Sequence, residues 1–296
     1  MGGLTEGKLS SGPFPRTFGH EGVGEIVAVG EGVTSRQVGD RVGIVPVQET
    51  CGWCGRCRRG EPLDFETVAN CAAPVFTGMT VSGAHADYVA VRSDATVLLP
   101  DGLAFEHAAP SMCVGYTAVA GLRRADPAPG SRVAVSGIGG LGHLALQYAK
   151  ALGLEVVAVT RSADKVDLAL RLGADAVVAG DEELRAAGGA DVLLAANSSN
   201  AAVVDAMQGV RPRGTVVMMG IAFDEFSVTN MHVVMQRLQI LGSAHNGVQH
   251  LAEALRLAGE GKVTPRVEVY GKDRAAEAYS RAAEGKSRFR SVISYA

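Results

Sequence analysis

The chain has 296 residues, 47% of them hydrophobic, enough for about two domains of ordinary size. Its charge balance is 28 − 31 = −3, with 20% charged and 5% aromatic residues. That excludes a strongly basic nucleic-acid binder and an intrinsically disordered chain. No apolar run approaches the ~18 residues that would cross a bilayer, and the first residues carry no signal-peptide core. A soluble, cytoplasmic protein without membrane or nucleic-acid partners is expected.

From residue 18 to about 100 the pattern is short and β-like. Runs at 24–29, 41–45, 88–91 and 96–99 are bounded by Gly, Asp and Pro. Within this region Cys51, Cys54 and Cys57 fall two residues apart each time, with Cys71 the obvious fourth thiol. Clustered thiols in a chain without an export signal read as metal ligands rather than disulfides. Four cysteines suit a closed, tetrahedral, structural zinc site.

Around residue 132 the texture changes. An apolar run at 133–136 leads into Gly137, Gly139, Gly140, Leu141 and Gly142, and then into a stretch with helical apolar spacing. A glycine pattern is specific when it follows a strand and opens a helix. Gly137 suits a tight turn, Gly139 lets backbone approach a pyrophosphate, and Gly142 allows close helix–strand packing. The next strand (156–160) ends in Thr160, Arg161 and Ser162, with Lys165 close behind, where an acidic residue would select NAD. A cation and hydroxyls there favour NADP(H) over NAD(H). Strands at 176–179, 192–196, 216–219 and 238–241 alternate with helices. The fold class is therefore α/β, a doubly wound parallel sheet of Rossmann type. A helix (250–258), a strand (266–270), a helix (274–284) and a strand (289–294) are expected to return to the first domain.

Upstream, Gly19, His20 and Glu21 open the run GHEGVGEIVAVGEGV, in which Gly24, Gly30 and Val33 recur at fixed spacing. With the cysteine lobe, the segment Cys113-Val-Gly-Tyr-Thr117, the glycine loop and the segment Gly285-Lys-Ser-Arg-Phe-Arg290, the chain resembles the zinc-dependent alcohol dehydrogenases of the medium-chain dehydrogenase/reductase superfamily. The resemblance implies a GroES-like β-rich domain over 1–113 with its zinc lobe at 51–71, a Rossmann domain over 114–243, and a return over 244–296. It also implies a homodimer or homotetramer acting on a small alcohol or aldehyde.

Site roles follow from the same resemblance. His20 and Cys113 hold a catalytic zinc, and Glu21 supports it or ligates it. Thr117 packs on the nicotinamide, and Arg290 reaches the pyrophosphate. A further ligand cysteine, with a Ser or Thr of a proton relay, belongs some tens of residues before the Gly-His-Glu in that family. No cysteine precedes Cys51 here, so an incomplete catalytic site and impaired activity are expected. Thirteen residues separate Cys57 from Cys71, more than the family pattern. The resemblance reads 64–69 as an insertion bulging outward, with Asp64 or Glu66 as the alternative fourth ligand. His143 is expected on a helix near the cofactor phosphates. His85, His107, His232, His245 and His250 are assigned to surface or capping roles, and Arg211 and Arg213 to solvent. A catalytically silent dinucleotide-binding protein and a zinc-free quinone or enone reductase remain as alternatives.

Overall fold

The computed structural model describes residues 16–60 and 65–296, without the Val68 side chain. The chain forms two compact units. One comprises the chain up to Cys113 with His245–Gly259 and Arg266–Ala296; the other comprises Val114–Ala244 with Glu260–Pro265. Among the described residues no helix is long and apolar enough to cross a membrane.

In chain order the first unit opens with strands β1 (Val23–Glu25), β2 (Arg41–Ile44) and β3 (Val47–Glu49), then short helices α1 (Gly55–Arg58) and α2 (Glu66–Asn70). Strands β4 (Val75–Phe76) and β5 (Thr96–Leu98) and helix α3 (Phe105–Ala108) follow. β1, β2 and β5 form an antiparallel sheet, and β3 pairs with β4. The expected strand at 24–29 ends at Glu25. There the chain turns, with Ile26 N–H donating to the Asp40 carbonyl and Gly39 N–H to that of Ile26, and leaves Val27 and Val29 in solvent. Residues 88–91 form no strand, and Tyr88 is exposed. Beneath β3 and β4, Val47, Phe76 and Met79 make a small core on which Phe18 and Phe65 pack.

The second unit runs α4 (Val114–Ala125), β6 (Arg132–Ser136), α5 (Gly142–Ala151), β7 (Glu155–Val159), α6 (Val166–Arg171), β8 (Ala176–Val178) and α7 (Asp181–Ala186). It continues through β9 (Ala190–Ala195), α8 (Asn200–Met207), β10 (Val210–Met218), α9 (Asn230–Gln236) and β11 (Gln239–Gly242). All six strands are parallel, in the order β11-β10-β9-β6-β7-β8. Val133, Ala134 and Val135 of β6 are fully buried, as strands covered on both faces require. The strand order reverses between β6 and β9, the place where open α/β sheets bind ligands beyond their carboxyl ends. The chain then makes α10 (Gln249–Gly259), β12 (Val267–Gly271), α11 (Ala275–Ala283) and β13 (Arg290–Ser294), with β12 and β13 parallel.

Asp191 ties the entry of this sheet together. Its carboxylate accepts from the Arg132 backbone N–H at 2.8 Å and from Arg211 Nη1 at 2.8 and 2.9 Å. Arg211, expected in solvent, is thus an anchor. Burial pushes the Asp191 carboxyl up, but the Arg211 hydrogen bond and the Arg132 amide more than offset it, leaving its pKa lowered. A depressed folded-state pKa adds stability above the unfolded value of about 3.9, and that stability is lost as pH falls through the folded pKa. Side-chain exposures of 39% and 35% for Arg211 and Asp191 mean that solvent screens the pair. Asp191→Asn is therefore expected to cost only about 0.5–1 kcal/mol at pH 7. The cost should shrink towards pH 3 in urea titrations of the two proteins.

Candidate active site

In the cysteine lobe, Cys51, Cys54, Cys57 and Cys71 place their sulfurs within 4.8 Å of one another. Sγ–Sγ separations are 3.8 Å for Cys51–Cys57, 3.5 Å for Cys54–Cys57 and 3.8 Å for Cys57–Cys71. A disulfide needs about 2.05 Å. Four sulfurs about 2.3 Å from a tetrahedral zinc lie ~3.8 Å apart, so the spacing is that of a zinc site. Backbone N–H groups of Cys57 and Ala72 lower the Cys54 pKa to about 6, whereas burial raises that of Cys71. Glu66, the substitute ligand considered above, is exposed and accepts from Asn70 Nδ2 at 3.2 Å. Asp64 lies outside the described residues.

The segment 64–69 does not simply bulge outward. Its described part turns back into the unit: Thr67 is fully buried, and the Phe65 ring stands edge-on to Phe76 at 5.5 Å. The physical reason is the apolar character of Phe65, which joins the small core rather than facing water.

His20 follows a backbone stretch held by the segment 83–85. Gly83 N–H donates to the Thr17 carbonyl at 2.7 Å, and Ala84 N–H to that of Gly19 at 2.9 Å. A Cβ on Gly83 would sit 2.3 Å from the Gly19 oxygen, so only glycine permits this approach. The His20 ring packs 5.8 Å from Phe76. Burial lowers its pKa, which leaves the neutral imidazole that metals bind. Cys113 ends the turn at Ala109–Met112, and burial, with the Glu21 charge second, raises its thiol to about 12. Glu21 Oε2 is ion-paired with Arg290 Nη2, while its Oε1 is buried without a partner among the described residues. Arg290, expected on the pyrophosphate, is thus held on Glu21.

His20, Glu21 and Cys113 are not gathered within 4.8 Å; among the described residues the four cysteines are the group of donors that close. Their chemistry nonetheless fits a borderline-soft cation: a neutral imidazole, a thiol that ionises only on meeting a cation, and an orphaned carboxylate oxygen.

His245 departs most from its expected place. Rather than a surface residue it is 2% exposed, and burial lowers its pKa to about 3. Nothing local in the sequence marks it. Its signal is only that His245, Asn246 and Gly247 all take positive φ.

In the second unit the glycine loop caps β6. Gly137 N–H reaches the Val159 carbonyl at 3.3 Å, and α5 begins at Gly142. Gly139 has open space where a Cβ would stand. Such a helix N-terminus, with free amides, holds phosphate charge. Across the switch point Asn197, which no sequence motif marks, lies beside Gly137 with a buried Oδ1 that has no partner among the described residues. His143 is fully buried, its Nδ1 2.9 Å from the Gly139 carbonyl, so it braces the loop from within. At the end of β7 the Ser162 N–H donates to Thr160 Oγ1 at 3.2 Å, and Arg161 is exposed. Lys165 closes the short turn Ala163–Lys165, and Thr117 is buried on α4.

Comparison with known proteins fixes the class. The family described as alcohol dehydrogenase GroES-like domain matches residues 3–101, and that described as zinc-binding dehydrogenase matches residues 140–260. An alcohol dehydrogenase of Geobacillus stearothermophilus is 39% identical over 286 residues, 95% of this chain and 83% of the relative. Among solved structures, a cinnamyl alcohol dehydrogenase from Sorghum bicolor matches with a TM-score of 0.84 at 31% identity, over 95% of this chain and 82% of that one. An NAD-dependent alcohol dehydrogenase matches at 0.88 and 29%, over 99% and 87%. The chain belongs to the zinc-type alcohol dehydrogenases of the medium-chain dehydrogenase/reductase superfamily. It is an oxidoreductase of the kind that passes a hydride between a nicotinamide cofactor and an alcohol or aldehyde carbon; neither the silent-binder nor the quinone-reductase alternative is favoured.

Proposed function

We propose that each chain carries two zinc sites, a structural one on the four cysteines and a catalytic one on His20 and Cys113, with Glu21 as the adjacent carboxylate. The observation that carries the catalytic assignment is the buried Glu21 Oε1, without a partner among the described residues, in the unit where burial has also shifted His20 and Cys113 towards their uncharged forms. Bound there, zinc supplies Lewis acidity to the substrate oxygen, easing loss of the alcohol proton or polarising the carbonyl. Arg290 restrains Glu21 by holding its other oxygen. In the second unit, Gly137, Gly139, Gly140, Leu141 and Gly142 present backbone to the pyrophosphate, and Thr117 is assigned to the nicotinamide. Orientation of both reactants is the larger part of what such a protein contributes.

Metal analysis with kinetics tests this reading. The purified protein is expected to hold two zincs per chain. Cys113→Ala should hold one and lose about a thousandfold in kcat/KM, the equivalent of several kcal/mol of lost charge stabilisation. Both zincs retained in Cys113→Ala, with normal turnover, overturn the assignment. A single zinc without turnover in the unaltered protein returns the silent binder, and a metal-free protein reducing enones the quinone reductase.

NADP(H) is the proposed cofactor, supported by exposed Arg161 just past the end of β7 and by Thr160, Arg161 and Ser162, none of them acidic, following that strand. A hydrogen bond to a charged group is worth about 1.5–3 kcal/mol. Arg161→Ala is thus expected to raise the KM for NADP+ about tenfold while sparing that for NAD+; an equal effect on both refutes the preference. A homodimer or homotetramer is also proposed. The edge strand β11 is open on one side, and helix α9 exposes Met231, Val234 and Met235. The reduced thiols of the lobe support a cytoplasmic setting.

A further inference from the structure

We propose that Phe65, together with the buried His245 ring that it meets, forms a wall of the substrate pocket and sets which alcohols the enzyme accepts. The proposal rests on the reading of His20 and Cys113 as the holders of the catalytic metal.

Four rings run in sequence through the first unit. His20 lies 5.8 Å from Phe76, tilted by 54°. Phe76 meets Phe65 at 5.5 Å and 85°. Phe65 meets His245 at 6.1 Å and 83°. Both ends of this series reach the candidate metal site. The His20 end is itself an assigned ligand, and the His245 ring is hydrogen-bonded to the backbone of Cys113, the other. Phe65 therefore stands between two imidazoles that border the reacting centre. Phe76 is fully buried, whereas Phe65 is only partly so.

A phenyl ring offers no donor to a metal and no proton to a substrate. At such a place it occupies volume that the carbon chain of a substrate would otherwise take. The backbone reinforces this on the facing side. His245, Asn246 and Gly247 have φ of 70°, 55° and 114°, a left-handed run that only glycine adopts freely. Two non-glycine residues are held in that conformation, and His245 is the first of them. Phe65 itself comes from the lengthened stretch between Cys57 and Cys71, so the extra residues put an aromatic side chain against the site.

Phe65→Ala and Phe65→Leu test the wall, with Glu66→Ala, an exposed neighbour on α2, as the control. The measurement is kcat/KM for ethanol, 1-butanol and benzyl alcohol, alongside zinc content and Tm of the same preparations. Phe65→Ala is expected to shift the benzyl alcohol to ethanol ratio towards the larger substrate by about tenfold or more, mainly through KM. Phe65→Leu should shift it less, and Glu66→Ala not at all, with zinc content constant throughout. Calorimetric affinities for the same alcohols with oxidised cofactor present report the same ratio independently of turnover. An unchanged ratio, or an equal loss for all three alcohols, overturns the proposal. Failure of the underlying metal reading shows separately, as both zincs retained in Cys113→Ala.

Discussion

Replacing Cys54 by Ser is expected to remove one zinc per chain, loosen the lobe and lower the melting temperature by about 10 °C. Sulfurs 3.5–3.8 Å apart without a bond have no reason to stay assembled unless an ion holds them. Cys54 is the thiol most ready to ionise, its pKa lowered to about 6 by the Cys57 and Ala72 amides. It is thus the thiol best prepared to meet a cation as a thiolate. Structural zinc adds binding free energy directly to folding, on the order of 10 kcal/mol in small zinc domains. A larger domain with its own core loses only part of that. A few kcal/mol at about 2–4 °C each gives the expected shift. Metal analysis and scanning calorimetry check it, and unchanged zinc content in Cys54→Ser refutes it. Protease sensitivity should rise within 51–71 while the six-stranded sheet stays protected, because its core is separate.

The second large effect concerns the glycine loop. A Cβ on Gly142 would stand 1.9 Å from the Gly137 carbonyl oxygen and 2.9 Å from its carbon. Both are backbone atoms, so no side chain can swing aside, and Gly142→Ala must push the loop off the end of β6. Cofactor affinity should fall at least a hundredfold, about 2.8 kcal/mol, with stability lowered by about 1–3 kcal/mol from the overpacking. Gly139→Ala separates the two effects. Nothing lies within 4 Å of its added Cβ in the protein alone, so the fold should tolerate it. The methyl would instead meet the pyrophosphate, and binding should weaken with little change in Tm. NAD(P)H fluorescence titration and thermal melts read both quantities. Strong binding by Gly142→Ala would show that the cofactor lies elsewhere.

What could be read from the sequence was local. Three cysteines within seven positions and a glycine loop between strand and helix carry their chemistry in their spacing. The alternation after residue 132 likewise announces the parallel sheet, because buried strands and amphipathic helices have different periods. What escaped was long-range. Glu21 and Arg290 are 269 residues apart, and neither sequence neighbourhood says that they meet. His245 looked like any of the other histidines, since it lies in a left-handed turn that leaves no periodic trace. Phe65 was hidden for a related reason: an aromatic in the irregular stretch between Cys57 and Cys71 has no pattern that says which way it faces. Asn197 was invisible because its place beside Gly137 comes from two strands meeting at the switch point.

The interrupted course of the first unit bears on how the protein is made. Its chain stops at Cys113, yields to the whole parallel sheet, and resumes only at His245. During synthesis the sheet can close as soon as β11 leaves the ribosome, whereas the other unit must wait with its apolar strands and thiols uncovered. Glu21 finds Arg290 only after the whole parallel sheet has been made. The first unit is therefore begun before the parallel sheet and completed after it, so its early strands stay exposed to mispairing while the sheet is being made.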